Sequence, residues 1–150
     1  MRVLLVPRGI LGAMSQENVE IVRAQFAAFE HDGLDAVAAY WHPDIDWRAV
    51  EGAADDVGVI SGPDALRGYY EDWLETFDEL RAEVGEVLFE DGDRVAVAVH
   101  NSGRGRASGV ATRGRYFVVC TVREGLIVSG REYDSRKQAL QAARHESAGA

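Results

Sequence analysis

The stretch GLIVSGREYD, Gly125 to Asp134, running straight into SRKQAL, Ser135 to Leu140, decides how the chain is read. Gly125 turns the chain, an apolar alternating run follows, and Ser135 with Gln138 three residues later has the spacing of a capping box, so a strand hands over directly to a helix. Strand periodicity places Val128, Gly130, Glu132 and Asp134 on one face and Ile127, Ser129, Arg131 and Tyr133 on the other. A carboxylate closing an apolar strand has to be paired, solvated or chemically employed, which makes Glu132 the first candidate site residue.

Moving towards the N-terminus, Arg113 to Arg123 reads as a long strand joined to the last one by a Glu124-Gly125 turn. Val84 to Glu90 and Arg94 to His100 form a hairpin about Asp91-Gly92-Asp93. The glycine- and arginine-rich passage Ser102 to Gly109 links the two hairpins, and it lacks the strand-to-helix context of a nucleotide loop. Further upstream, Gly62-Pro63-Asp64 starts a helix, predicted as the longest, on which Leu66, Tyr69, Tyr70, Trp73, Phe77 and Leu80 recur at helical spacing. Ala53 to Ser61 reads as a loop and Ile45 to Glu51 as a first strand. Leu34 to Trp41 reads as a short helix closed by Pro43, with His42 suited to the helix's negative end. Ser15 is placed to cap an opening helix carrying Val19, Val22, Phe26 and Phe29, with Gly33 as its stop. Helices first and hairpins after predict an α+β domain, with helices on one face of an antiparallel sheet.

With 47% hydrophobic residues, 150 residues suffice for one domain with a real core. The expected organisation is a disordered N-terminal extension over 1–14, with Met14 as the functional start, a domain over 15–143 and a flexible tail over 144–150. A net charge of -9 repels phosphate backbones and anionic lipid, so nucleic acid is not an expected partner. No apolar stretch is long enough to span a bilayer. The single cysteine, Cys120, excludes an intramolecular disulfide, and the cytoplasm is the expected compartment. No HxH or HExxH spacing points to a metal site, and Cys120 reads as a small buried hydrophobe.

The passages SQENVEIVRAQFAAFEHDGLDAVAAYWHPDIDW, SGPDALRGYY, RGRASGV and REGLIVSGREYDSRKQAL, in this order, resemble the SnoaL-like branch of the nuclear transport factor 2-like superfamily. The resemblance implies a cone, in which a curved sheet wraps a long helix and encloses a pocket for a small apolar or polyketide-like ligand. It also implies cofactor-independent chemistry and a homodimer formed through the outer sheet face. Positions used by relatives similar to ketosteroid isomerase fall on Ala49, Gln25 and Val118, so that isomerase set is absent. Of the positions used by relatives similar to limonene epoxide hydrolase, near Trp47, Ala49, Val99, Asn101 and Glu132, only Glu132 keeps a carboxylate. SnoaL-type cyclases need an acid/base carboxylate in an apolar cone, and Glu132 is the residue that could supply it. The competing reading is an edge carboxylate paired with Arg104, Arg106 or Arg115. Trp47, Tyr70 and Trp73 are expected to line the cone and Tyr116 to offer it a hydroxyl. Either His100 or Asn101 can face it, because adjacent strand residues point to opposite faces. A non-catalytic binding module is the alternative to an enzyme.

Overall fold

The structure, a computed structural model, describes residues 8–148. In chain order the elements are α1 (Arg8–His31), α2 (Leu34–Ala38), β1 (Trp41–Arg48), β2 (Ile60–Ser61), α3 (Pro63–Thr76), β3 (Phe77–Asp91), β4 (Arg94–Gly105), β5 (Ala111–Arg123), β6 (Leu126–Tyr133) and α4 (Arg136–Ala148). The six strands make one sheet in the order β2-β1-β6-β5-β4-β3, with every pairing antiparallel except β1 with β6. This is the expected α+β class with a curved sheet around helices.

Alternating valines divide the long strands between two cores. Val95, Val97 and Val99 of β4 and Val118, Cys120 and Val122 of β5 face inward with Ile45, Trp47 and Ile127. They pack there against Val19, Val22 and Phe26 of α1 and Leu66 of α3. Ala96, Ala98, Phe117 and Val119 occupy the opposite face and are covered by Ala139 and Ala143 of α4. The expectation of helices on one face is therefore corrected: α4 closes the outside. Burial on both faces is also why Arg94 to Val99 shows no exposed position.

Several boundaries move, each for a local reason. Ser15 is buried inside α1, which runs unbroken from Arg8, so it caps nothing, and α1 is longer than α3. Residues 1–7, half of the expected extension, lie outside the described residues, as do 149–150, and α4 continues to Ala148, past Ala143. Pro43 does not close a helix but sits in β1, in the register irregularity between Trp41 and Asp46 where its missing N–H costs no ladder bond. His42 is there too, its Nδ1 accepting the Asp44 amide at 3.0 Å, so it caps no helix. Phe77 is extended (φ -124, ψ 138) and starts β3, although Phe77 and Leu80 continue the helical spacing. Thr76 donates its hydroxyl to the Asp72 carbonyl at 2.7 Å in the final turn. Ile127 belongs to the inner core and not to the outer face. Thr121 pairs with Ser129 but Val122 with Ile127, so Val128 is bulged out of register and parity shifts before it.

If α4 is part of the domain's core, Ala139→Asp places an unpaired carboxylate against Phe117 and should cost roughly 3 kcal/mol or more. Chemical denaturation checks this, and an unchanged midpoint would show that the helix does not cover the sheet.

Candidate functional site

Parallel pairing of β1 with β6 brings Trp47 beside Gly130. A Cβ on residue 130 would lie 2.1 Å from the Trp47 ring, so only glycine lets the indole lie across this strand. From there the Trp47 indole N–H donates to Oε2 of Glu132 at 2.6 Å. Trp47 is fully buried and does not belong to the cavity wall, which corrects its expected role: it holds Glu132 from behind.

Burial pushes the Glu132 carboxyl up to about 7, the Trp47 hydrogen bond pulls the other way, and the negative charge of Asp55 adds to the rise. Among the described residues, no arginine pairs with it. Arg104 donates to the Gly109 carbonyl, and Arg106 reaches the Leu74 carbonyl and pairs with Asp78 at 2.6 Å. Arg115 stacks 5.2 Å from the Phe117 ring centre on the outer face, and the adjacent Arg131 pairs with Asp46 at 2.8 Å. The reading of Glu132 as an arginine-paired edge carboxylate is thereby excluded.

Glu132 opens on a half-open cavity of about 230 Å³. Tyr70, Trp73, Tyr116 and Asn101 line it, together with Phe29, Leu80 and Ala82. Asn101 is the cavity residue of its pair, since it follows the parity of Val95, Val97 and Val99, while His100 is exposed beside Arg115. The Asn101 Oδ1 is buried without a hydrogen-bond partner, seated over Gly114, where a Cβ would approach it to 2.8 Å. Burial raises the hydroxyls of Tyr70 and Tyr116 well above the usual tyrosine range, with the Glu132 charge as the next cause. It also pushes the Cys120 thiol up to about 12, which leaves that residue inert as a nucleophile.

Sequence reasoning missed Asp55 and Tyr69, which form a second polar pair in the same cavity. The Tyr69 hydroxyl donates to Asp55 Oδ2 at 2.5 Å. Tyr69 was visible within the aromatic stripe, but Asp55 was one acid among several in a loop. Its neighbour Asp56 shapes that loop, accepting from Arg48 and from the amides of Gly52 and Gly58. On its other side Glu132 borders a polar cleft of about 690 Å³ that also includes Arg48, Arg131, Gln138 and Gln141. Among the described residues, no group of three or more His, Cys, Asp and Glu side chains is placed to hold a metal ion.

Two substitutions test this geometry. Trp47→Phe keeps the ring and removes the donor, so Glu132 should titrate above about 7, as read by carbon NMR of its carboxyl. Gly130→Ala should displace the indole and destabilise the fold by roughly 1–3 kcal/mol or more. A Trp47→Phe protein with unaltered Glu132 titration would sink the proposed role of the indole.

The sequence profile of the SnoaL-like domain matches residues 22–130. No curated protein matches the chain. Among solved structures, an NTF2-like protein from Burkholderia xenovorans LB400 is 27% identical, with 85% of this chain and 95% of that one covered and a TM-score of 0.65. A candidate SnoaL-like polyketide cyclase from Jannaschia sp. CCS1 is 17% identical, with 87% and 93% covered and a TM-score of 0.70. RV0760c from Mycobacterium tuberculosis, in complex with estradiol-17beta-hemisuccinate, is 15% identical, with 78% and 92% covered and a TM-score of 0.68. At such identities the last two speak for the fold alone. With the profile spanning most of the chain and the fold matching these neighbours, the protein belongs to the SnoaL-like domain family of the NTF2-like fold.

Proposed function

We propose that the protein binds a small, largely apolar or polyketide-like molecule in the cone and acts on it by cofactor-independent proton transfer, with Glu132 as the acid/base. One observation carries this reading: Glu132 is held by a buried indole N–H, without an arginine partner among the described residues, open to the cavity and shifted to about 7. A carboxyl with that value is both a usable acid and a usable base at neutral pH. A relative of the same fold crystallised with a small ligand supports small-molecule binding in the cone. A cavity of about 150 Å³ admits benzene, so about 230 Å³ fits a body of one to two rings, with any larger part reaching out of the open side. Isomerisation or cyclisation suits such a group better than hydrolysis, because the walls beside Glu132 are mainly aromatic and aliphatic. Tyr70, Trp73, Tyr116 and Asn101 are the proposed ligand contacts. No described helix is long and apolar enough to cross a membrane. A cytoplasmic homodimer completes the proposal, although α4 covers the outer sheet face expected to join it, and light scattering of the purified protein tests the dimer.

Deuterium exchange at the carbons beside the carbonyl of cyclohexanone, a ring of the cavity's size, tests the chemistry by NMR in heavy water. Wild-type protein should accelerate exchange, rising with pH through about 7 as Glu132 ionises, and Glu132→Gln should lose roughly 100-fold or more. Equal exchange by both proteins would remove the catalytic role. Binding without exchange would leave the non-catalytic binding module.

The same shift sets a stability profile. The folded-state value of Glu132 is raised, from 4.5 to about 7, so the native state holds a proton that the unfolded chain releases. Stability is therefore lost as pH rises from about 4.5 to 7, by roughly 3 kcal/mol for a shift of this size. Glu132→Gln should abolish that slope in pH-resolved denaturation, and a variant profile parallel to wild type would contradict the assignment.

A further inference from the structure

The cavity holds two carboxyl groups and an amide oxygen without a partner, beside the hydroxyls of Tyr70 and Tyr116. Asn101 offers a buried carbonyl oxygen with no partner, and Glu132 accepts one indole N–H through a single oxygen. Asp55, on the loop, already accepts the hydrogen bond of the Tyr69 hydroxyl, so the Tyr69 oxygen is left with only its lone pairs to offer a ligand. Asp55 is close enough for its charge to disfavour ionisation of Glu132. Two acidic groups and an orphan acceptor in one small space favour a ligand that brings donors and positive charge. The apolar walls agree with this. Phe29, Tyr70, Trp73 and Tyr116 surround the same space, and aromatic faces attract a cation that has left water. The cavity's arginines do not cancel the field within it: the Arg115 guanidinium lies against Phe117 on the outer face, and Arg81 is exposed on the wall shared with a surface cleft containing Glu30 and Glu83.

We propose that the ligand is a small organic ammonium ion, an apolar body of one to two rings carrying a protonated amine, bound with its nitrogen among Asp55, Glu132 and Asn101. This rests on the reading that the cone admits a small molecule, and it narrows that molecule to a chemical class. The protein's net charge of -9 favours the approach of such a cation.

Cyclohexylamine and cyclohexanol have nearly the same shape and differ in charge and donor number, so their affinities separate the two readings. Titration calorimetry on the full chain at about pH 8 should give cyclohexylammonium the tighter binding, by about tenfold or more. Asp55→Asn and Glu132→Gln should each reduce that preference, and two variants are needed in case one fails to fold by circular dichroism. Asn101→Leu should weaken the amine more than the alcohol. Equal or tighter binding of cyclohexanol overturns the ammonium assignment and leaves the pocket reading standing. Absence of binding by both molecules overturns the pocket reading as well. A preference for the amine that survives both carboxylate substitutions also overturns the assignment, because the charge would then be recognised elsewhere.

Discussion

The Trp47 indole lying across Gly130 is the contact on which the rest of the site depends. It requires β1 to run parallel beside β6, and it requires a residue without a Cβ at position 130. It then delivers one N–H to a carboxylate with which no cation among the described residues pairs. A buried carboxyl with neither a cation nor a donor would stay protonated well above neutral pH, and one paired with arginine would stay ionised. A single neutral donor leaves it between these limits, where both protonation states are populated near pH 7.

That balance costs stability, and the two cores offset it. The inner core of valines, Trp47 and the α1 face fixes the strands that carry Glu132 and Tyr116, while α4 buries the outer alanines and Phe117. The cavity is the part of the inner cone where this packing stops. Its walls are rings held against one another: Phe29 meets Tyr70 edge-on at 5.2 Å, and Trp41 stacks on Tyr70 at 6.0 Å. Polar groups enter from three sides, Glu132 from β6, Asn101 from β4 and the Asp55-Tyr69 pair from the loop and α3. Of these, Glu132 was legible in the chain, because strands carry a period of 2 that names a face, whereas for Asn101 that period left the choice against His100 open. Asp55 was not, because a loop has no period.

Where periodicity misled, a local irregularity explains it. Parity along β6 fails at Val128 because of a bulge, so Ile127 turns inward although alternation assigns it outward. The helical spacing of Phe77 and Leu80 outlasts the helix itself, since the same apolar side chains serve a strand that packs on Gly103. Pro43, read as a helix stop, is tolerated in a strand because the ladder is already interrupted there.

By itself the sequence determined the α+β class, the hairpins, most of the aromatic lining and the choice of Glu132 as the decisive carboxylate, because each of these follows from short-range period and turn chemistry. Only the tertiary structure decided the state of that carboxylate. Its donor comes from Trp47, 85 residues away, its neighbouring charge from Asp55 and its dryness from a cone assembled by α1, α3 and the strands β3 to β6. Desolvation and charge proximity are properties of arrangement in space, and no spacing along the chain encodes them.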